Sequence, residues 1–225
     1  MKKRFLHLFV GCLYILFLAS CGNTDEKFIS EGVIEYDAKV VDESNPMASL
    51  APNKMIIKFK NNYSAAEMSA GMGLFTTSFI SNPEKKSLTQ LVKLLNKKFS
   101  LVQNEKEIKD ENALYAMEII PTKETKIIAG YNCTKAHVKL KDEYATEFDI
   151  YYTNELDIKM PNFTNPYSAI DGVLMEYQLK KFGLEMRFTA KIVKPEEVDD
   201  TTFELPTDYK AISQEEMNEL FEGLQ

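Results

Sequence analysis

Apolar and polar residues alternate along four successive stretches in the second half of the chain. Alternation with a period of two is typical of a β-strand with one buried and one solvated face. The short turns between most of these stretches favour an antiparallel meander, in which sequential strands pair. The predicted strands are Lys126–Leu140, Tyr144–Thr153, Asp171–Lys181 and Leu184–Lys194. Asn154–Ala169, with two prolines, interrupts the meander as one long loop.

The first half of the chain repeats this pattern less regularly. Tyr63–Gly73 is rich in small residues and fits either a weak strand or a mobile flap. Ser87–Gln103 fits one helix face or two short strands, Leu88–Leu95 and Lys98–Val102, and the surrounding meander favours strands. Asn104–Asn112 is a charged connection. The clearer predicted strands of this half are Glu31–Val41, Lys54–Lys60, Leu74–Ile80 and Ala113–Pro121.

The end of the chain carries the start signals of a helix. Ser213 and Glu216 have the spacing of a capping box. An apolar stripe follows, formed by Met217, Leu220, Phe221 and Leu224. We also expect Phe203–Pro206 to dock on a sheet edge. Eight or nine strands and little helix predict a mainly β domain, because so long a sheet twists, curls and tends to close on its own apolar face. The expected fold is a curved antiparallel half-barrel with a short C-terminal helix.

The first twenty residues have the layout of a secretory signal. Lys2, Lys3 and Arg4 precede an apolar run, which ends in Leu-Ala-Ser before Cys21. This ending is similar to the lipobox of bacterial lipoproteins, and the resemblance implies cleavage before Cys21 and acylation of that residue. The alternative is an ordinary cleaved signal with an incidental cysteine. The expected organisation is a signal peptide at 1–20, a polar tether at 21–30 and a single domain at 31–225.

Charge and cysteine content narrow the function. The whole chain has a net charge of −7, and removal of the three basic signal residues would make it −10. Such a protein repels phosphate backbones, so nucleic acid is an unfavourable partner. Cys133 would be the one thiol left beside a lipidated Cys21, and its position within a strand predicts a buried small hydrophobe.

Three segments carry a family resemblance: Lys126–Ala136, Tyr151–Leu156 and Ile170–Glu176. Together they resemble LolA-like lipoproteins of unknown function from Gram-negative bacteria, close to the GLPGLI family. The chain departs from GLPGLI itself, because Ala169–Leu174 lacks the proline of that family's motif. The resemblance implies an outer-membrane lipoprotein with a curved half-barrel and a helical lid, and relatives by fold bind acyl chains or other apolar ligands. It supplies no catalytic residues.

Signals of catalysis are scarce in the sequence. His137 is the one histidine beyond the signal, so a two-histidine metal motif is impossible there. It alternates with lysines, which predicts a solvated face opposite to Ala136 and Val138, and Cys133 is expected on that same solvated side, without partners for chemistry. We therefore predict no enzyme, no metal and no cofactor.

The predicted function rests on inward-facing apolar residues, several of them methionines that adapt to varied partners. We expect a monomer, anchored to the outer membrane by its lipid, that binds or carries a lipid-like ligand in a dry cavity of about 300 Å³ or more. The alternatives are an ordinary packed core, or an accessory lipoprotein that binds another envelope protein. The candidate ligand wall comprises Met55, Met117, Phe148, Tyr152, Met175, Tyr177, Met186 and Phe188.

Overall fold

The computed structural model describes residues 29–46, 48–181 and 183–223. Within them, twelve strands form one sheet, accompanied by two α-helices and three short 3-10 turns. The first half contributes β1 (Glu31–Val40), β2 (Lys54–Lys60), β3 (Tyr63–Ala70), β4 (Phe75–Asn82), β5 (Ser87–Leu94), β6 (Lys97–Gln103) and α1 (Glu105–Ala113). The second half contributes β7 (Met117–Ile128), β8 (Tyr131–Leu140), β9 (Glu147–Thr153), β10 (Val173–Lys181), β11 (Leu184–Lys194), β12 (Lys210–Ala211) and α2 (Gln214–Glu222).

The strand order is β12-β6-β5-β4-β3-β2-β1-β11-β10-β9-β8-β7. Two sequential meanders, β1–β6 and β7–β11, are joined where β1 pairs with β11. All neighbours are antiparallel except the short β12, which pairs with β6 in parallel. The sheet is curved and open, with β12 and β7 at its edges, so the predicted mainly β half-barrel with a C-terminal helix is confirmed.

A large buried cluster lies on β1, β2 and β8–β11. It includes Ile34, Tyr36, Phe59, Ile150 and Met175, all nearly inaccessible to solvent. The hydroxyl of Tyr36 donates to the carbonyl of Leu174 over 2.8 Å and so ties β1 to β10. A second, smaller cluster joins Val92 and Leu101 of the sheet to Met217 and Phe221 of α2. The C-terminal helix therefore covers the inner face of β5 and β6.

Several sequence predictions are confirmed. Ser87–Gln103 forms two strands, and Tyr63–Gly73 forms β3 followed by a 3-10 turn. Asn61 and Asn62, with φ of 48° and 75°, make the tight turn between β2 and β3. The capping box of α2 is present, because the Ser213 side chain accepts from the Glu216 N–H and the Glu216 carboxylate accepts from the Ser213 N–H. Leu224 lies outside the described residues.

Other predictions are wrong. The predicted strand Lys126–Leu140 is the end of β7 and all of β8, separated by a turn in which Ala129 and Gly130 have positive φ. Alternation runs on through a two-residue hairpin, so the pattern did not reveal the break. Asn104–Asn112 is helical, and the strand predicted from Ala113 begins at Met117. The edge beside β6 is taken by Lys210–Ala211, not by Phe203–Pro206.

The helix α1 escaped detection because it has only one buried residue. Ile108 alone faces the interior, while glutamates and lysines occupy most of the other positions. Its start is well defined, since the Asn104 side chain accepts from the N–H groups of Lys106 and Glu107. The strands β6 and β7 lie near opposite edges of the sheet. Helix α1 is therefore part of the connection that crosses from one edge to the other.

Candidate functional site

A cavity of about 420 Å³ lies on the concave face of the sheet. Its walls come from the inner faces of β2–β5, β10 and β11, from the loop between β9 and β10, and from α2. Apolar side chains make up most of the lining, among them Ile57, Met68, Phe75, Phe79 and Leu179. A void of this size and character falls within the usual range for small-molecule sites.

The strand β4 shows how the sequence builds the cavity wall. Its cavity-lining residues alternate between aromatic and hydroxyl side chains: Phe75, Thr77, Phe79 and Ser81. Phe75 meets Phe221 of α2 edge to face, with ring centroids 6.0 Å apart. This contact fixes the helix against one side of the opening.

Polar groups are few in this cavity. The Lys181 ammonium lies 4.8 Å from the centroid of the Phe79 ring and 2.9 Å from a carboxylate oxygen of Glu111 on α1. Burial alone would raise the pKa of Glu111, but Lys181 and a hydrogen bond from Gln103 outweigh it and hold that pKa below its usual value. The hydroxyl of Thr77 is buried without a hydrogen-bond partner among the described residues.

Tyrosines separate the cavity from the main core. The Tyr177 ring lies 6.2 Å from Tyr36, 6.0 Å from Tyr167 and 5.2 Å from Phe188, measured between centroids. Burial raises the pKa of all three tyrosines. The hydroxyl of Tyr167 donates to the Gln178 carbonyl and anchors the long loop on β10. These phenols are protonated at neutral pH and serve as packing and hydrogen-bonding groups.

The eight predicted wall residues are divided by the structure. Four of them line the cavity: Met55, Tyr177, Met186 and Phe188. Met175 is fully buried in the core. Phe148 and Tyr152 are half-buried and pack against the core cluster. Met117 lines a second cavity of about 500 Å³ between α1, the start of β7 and the long loop. The β3 and β4 side of the wall went unrecognised, although alternation at Thr77 and Phe79 carried the signal.

His137 has partners that were not predicted. It is half-buried on β8, with Nδ1 2.9 Å from Asp149 Oδ1 and Nε2 3.0 Å from Glu147 Oε2. Hydrogen bonds to Asp149 and then to Glu147 raise the pKa of His137. Lys135 and Lys139 bind the same two carboxylates at 3.0 Å and 2.9 Å. The carboxylates are thus shared in an ion network on the outer face, away from the cavity lining.

Cys133 is fully buried, as predicted, so the solvated surroundings expected for its face of β8 are wrong at this position. It belongs to the same buried cluster as Ala136 and Val138. The irregularity in the β7–β8 pairing lies on β7 between Pro121 and Thr125, and β8 itself alternates regularly, so Cys133 keeps the face of Lys135 and His137. Burial raises the pKa of the Cys133 thiol to about 11. Such a thiol is unreactive at neutral pH.

Residues 29–46, 48–181 and 183–223 contain no cluster of three His, Cys, Asp or Glu side chains placed to hold a metal ion. No helix in that part of the chain has the length and apolar character needed to cross a membrane. Cys21 and the signal-like segment lie outside the described residues, so lipidation stays a prediction from sequence.

The fold and its cavity define a class of protein, the open antiparallel half-barrel with a ligand-sized apolar space on its concave face. Comparison with known families identifies the family to which the chain belongs within this class. Residues 35–164 match the family described as N-glycanase peptide, N-terminal domain, the N-terminal domain of PNGase F-II, and the chain belongs to that family. The resemblance to LolA-like lipoproteins was not tested by this match and stays a prediction.

The solved structure of PNGF-II agrees with this assignment at the level of fold. The structure of PNGF-II is 17% identical, with a TM-score of 0.54 over 85% of this chain and 32% of that chain. The present chain therefore corresponds to about a third of that protein. LprF from Mycobacterium bovis is 11% identical over 75% of this chain and 88% of its own, with a TM-score of 0.31. No curated protein matches the chain.

Proposed function

We propose that this protein is a non-catalytic, membrane-anchored envelope lipoprotein whose half-barrel binds or carries an apolar, lipid-like ligand. The observation that carries the proposal is the cavity of about 420 Å³ on the concave face. Cores normally pack densely, with few voids larger than a water molecule. An apolar space of this volume is suited to a ligand.

The chemistry of the cavity wall supports binding without catalysis. The described residues that line the cavity include one lysine but no aspartate, glutamate, histidine or cysteine. Hydrolysis of an amide or glycosidic bond requires a positioned general acid or base, and a hydroxyl nucleophile such as that of Ser81 is weak without one. The family description names an N-glycanase, but this chain spans 32% of PNGF-II. Release of glycan from an N-glycosylated protein by the purified chain would overturn the non-catalytic assignment.

Anchoring is proposed from the sequence of the first 21 residues. A positive n-region, an apolar run and Leu-Ala-Ser-Cys support acylation of Cys21 and a position at the outer membrane. Mass spectrometry of the N-terminal peptide from the native host tests this step. A mature chain that begins elsewhere, or that begins at an unmodified Cys21, would exclude the anchor without affecting the cavity.

Ligand binding is tested by native mass spectrometry and by titration with a fluorescent fatty-acid probe. All contacts described above lie within residues 29–223, so a chain that begins at Gly22 retains them. Ala66 lines the cavity, and Ala66→Leu should fill part of it and weaken probe binding at least tenfold. Glu67→Leu places the same side chain on an exposed position of the same strand and should leave binding unchanged. Equal binding by wild type and Ala66→Leu would place the ligand elsewhere.

A second candidate function is attachment to another envelope protein through β7. This strand is an open edge of the sheet, and it exposes Ile120 and Ile127. An exposed edge offers unpaired backbone groups to a partner strand. Capture of a stoichiometric envelope protein by wild type, and its loss in Ile127→Lys, would favour this function over ligand carriage.

A further inference from the structure

Two hairpin tips beside the cavity expose apolar side chains. Met72 is fully exposed between β3 and β4, Leu74 is 54% exposed, and Leu95 is 59% exposed between β5 and β6. The Leu95 N–H donates to the Leu74 carbonyl over 2.7 Å, so the two tips form one unit. We call residues Gly71–Leu74 together with Leu95 the lip.

The backbone of the lip is unusual for its residue types. Met72 and Leu95 have φ of 57° and 56°, in the left-handed region that Gly and Asn favour. For methionine or leucine this conformation has a cost in free energy, and it persists only when something in the fold or the function retains it. Both side chains project into solvent, so buried packing does not account for either one.

The lip is continuous with the cavity. Gly71 and Leu74 line the cavity themselves, as does Leu94, the residue before Leu95. Apolar residues of the exposed tips therefore adjoin the cavity wall. This continuity is a feature expected of an entry route for an apolar molecule, because a desolvated path avoids exposing the molecule to water.

Within residues 68–83 and 87–103, which carry the lip, every charged residue is a lysine. Lys93, Lys97 and Lys98 flank the β5–β6 tip, and no acidic residue occurs in residues 68–83 or 87–103. Lys98 pairs with Asp208. The chain as a whole has a net charge of −7, so these two hairpins are a local exception. Apolar tips flanked by lysine are suited to the interface of an anionic bilayer.

We propose that the lip is a membrane-docking surface, which inserts Met72, Leu74 and Leu95 into the interface of an anionic bilayer and brings the cavity mouth to the lipid. The chain enters the fold at the start of β1, at the opposite end of the strands from the lip. Docking through the lip is thus separate from an anchor near Cys21. Docking is also independent of a ligand in the cavity, because it uses exposed residues on the outside of the protein.

Co-sedimentation with vesicles tests the proposal, with the chain that begins at Gly22 so that no lipid anchor contributes. The probes are vesicles of phosphatidylcholine alone and of phosphatidylcholine with phosphatidylglycerol in equal parts. Wild type should bind the mixed vesicles, and binding should fall with added salt. The triple variant Met72→Ser, Leu74→Ser, Leu95→Ser should bind at least tenfold more weakly. Lys93→Gln and Lys97→Gln should each lower binding to the mixed vesicles by about fivefold.

Leu114→Ser is the matched control, because Leu114 is 78% exposed and lies after α1, outside the lip. Its vesicle binding should equal that of wild type. Wild-type binding that the triple variant retains, or the absence of any vesicle binding, would overturn the proposal. A lip-dependent capture of a protein in place of vesicles would also overturn it and assign the lip to a protein partner. Probe binding in solution is measured without vesicles, so failure of the docking proposal and failure of ligand binding are told apart.

Discussion

Thr77 offers a sharp test of whether the cavity is dry and built for a ligand. Its side chain is 5% exposed, and its hydroxyl has no hydrogen-bond partner among the described residues. A buried hydroxyl without a partner costs about 1–3 kcal/mol relative to one in water. Thr77→Val removes the hydroxyl and keeps nearly the same shape. We therefore expect the free energy of unfolding to rise by about 1 kcal/mol, which corresponds to about 2–4 °C in Tm for a domain of this size.

Urea unfolding of the empty protein measures this change. Thr76→Val is the control, because Thr76 is the next residue of β4 and its hydroxyl lies 3.1 Å from that of Ser69 at the surface. That variant should change the free energy of unfolding by less than about 0.5 kcal/mol. If Thr77→Val instead lowers the free energy by about 1 kcal/mol or more, the Thr77 hydroxyl has a partner in solution. The cavity is then wet, and the case for an apolar ligand fails.

Three further outcomes are expected from variants and pH. Tyr36→Phe should lower the free energy of unfolding by about 1–3 kcal/mol in urea, because it leaves the buried Leu174 carbonyl without its donor, and an unchanged midpoint would contradict this. The Cys133 thiol, with a pKa of about 11, should resist a thiol reagent at pH 8 until urea unfolds the protein, and rapid native labelling would refute its burial. Because its two carboxylate partners raise the pKa of His137, its stabilising contribution is complete below about pH 6.5 and is lost as pH rises through the folded-state pKa. The urea midpoint should thus fall between pH 6 and pH 8 more in wild type than in His137→Gln, and equal slopes would count against the ion network.

The strands were predictable where one face is buried and the other wet. β11 begins and ends where alternation predicted, at Leu184 and Lys194, because its inner residues Met186 and Phe188 are buried while Arg187 is half-exposed between them. Helix α2 was equally clear, since its cap and its apolar stripe are local signals. In both elements, signals within one short stretch of sequence are enough to predict where the element begins and what kind of element it is.

Features that depend on distant residues were missed. Alternation cannot show that Ala129 and Gly130 turn the chain back, because the hairpin keeps the period on either side. The partners of His137 are ten and twelve residues away on β9, so their proximity follows only from the register of β8 with β9. Met117 was also misplaced: alternation assigned it to the ligand wall, but the fold brings it to the second cavity.

Strand order, which no periodicity reveals, explains how an open sheet encloses a space. The first meander runs from the β1–β11 junction out to β6, and the second begins at the other edge with β7 and runs back to β11, so β6 and β7 are consecutive in the chain yet far apart in the sheet. The connection between them has to cross the concave side or the convex side. Glu111 of α1 pairs with Lys181, a residue of the cavity wall, which places the crossing on the concave side. Helix α1 contributes no residue to the lining of that cavity, so it borders the cavity through the Glu111–Lys181 ion pair and leaves the enclosed volume to the sheet, the long loop and α2.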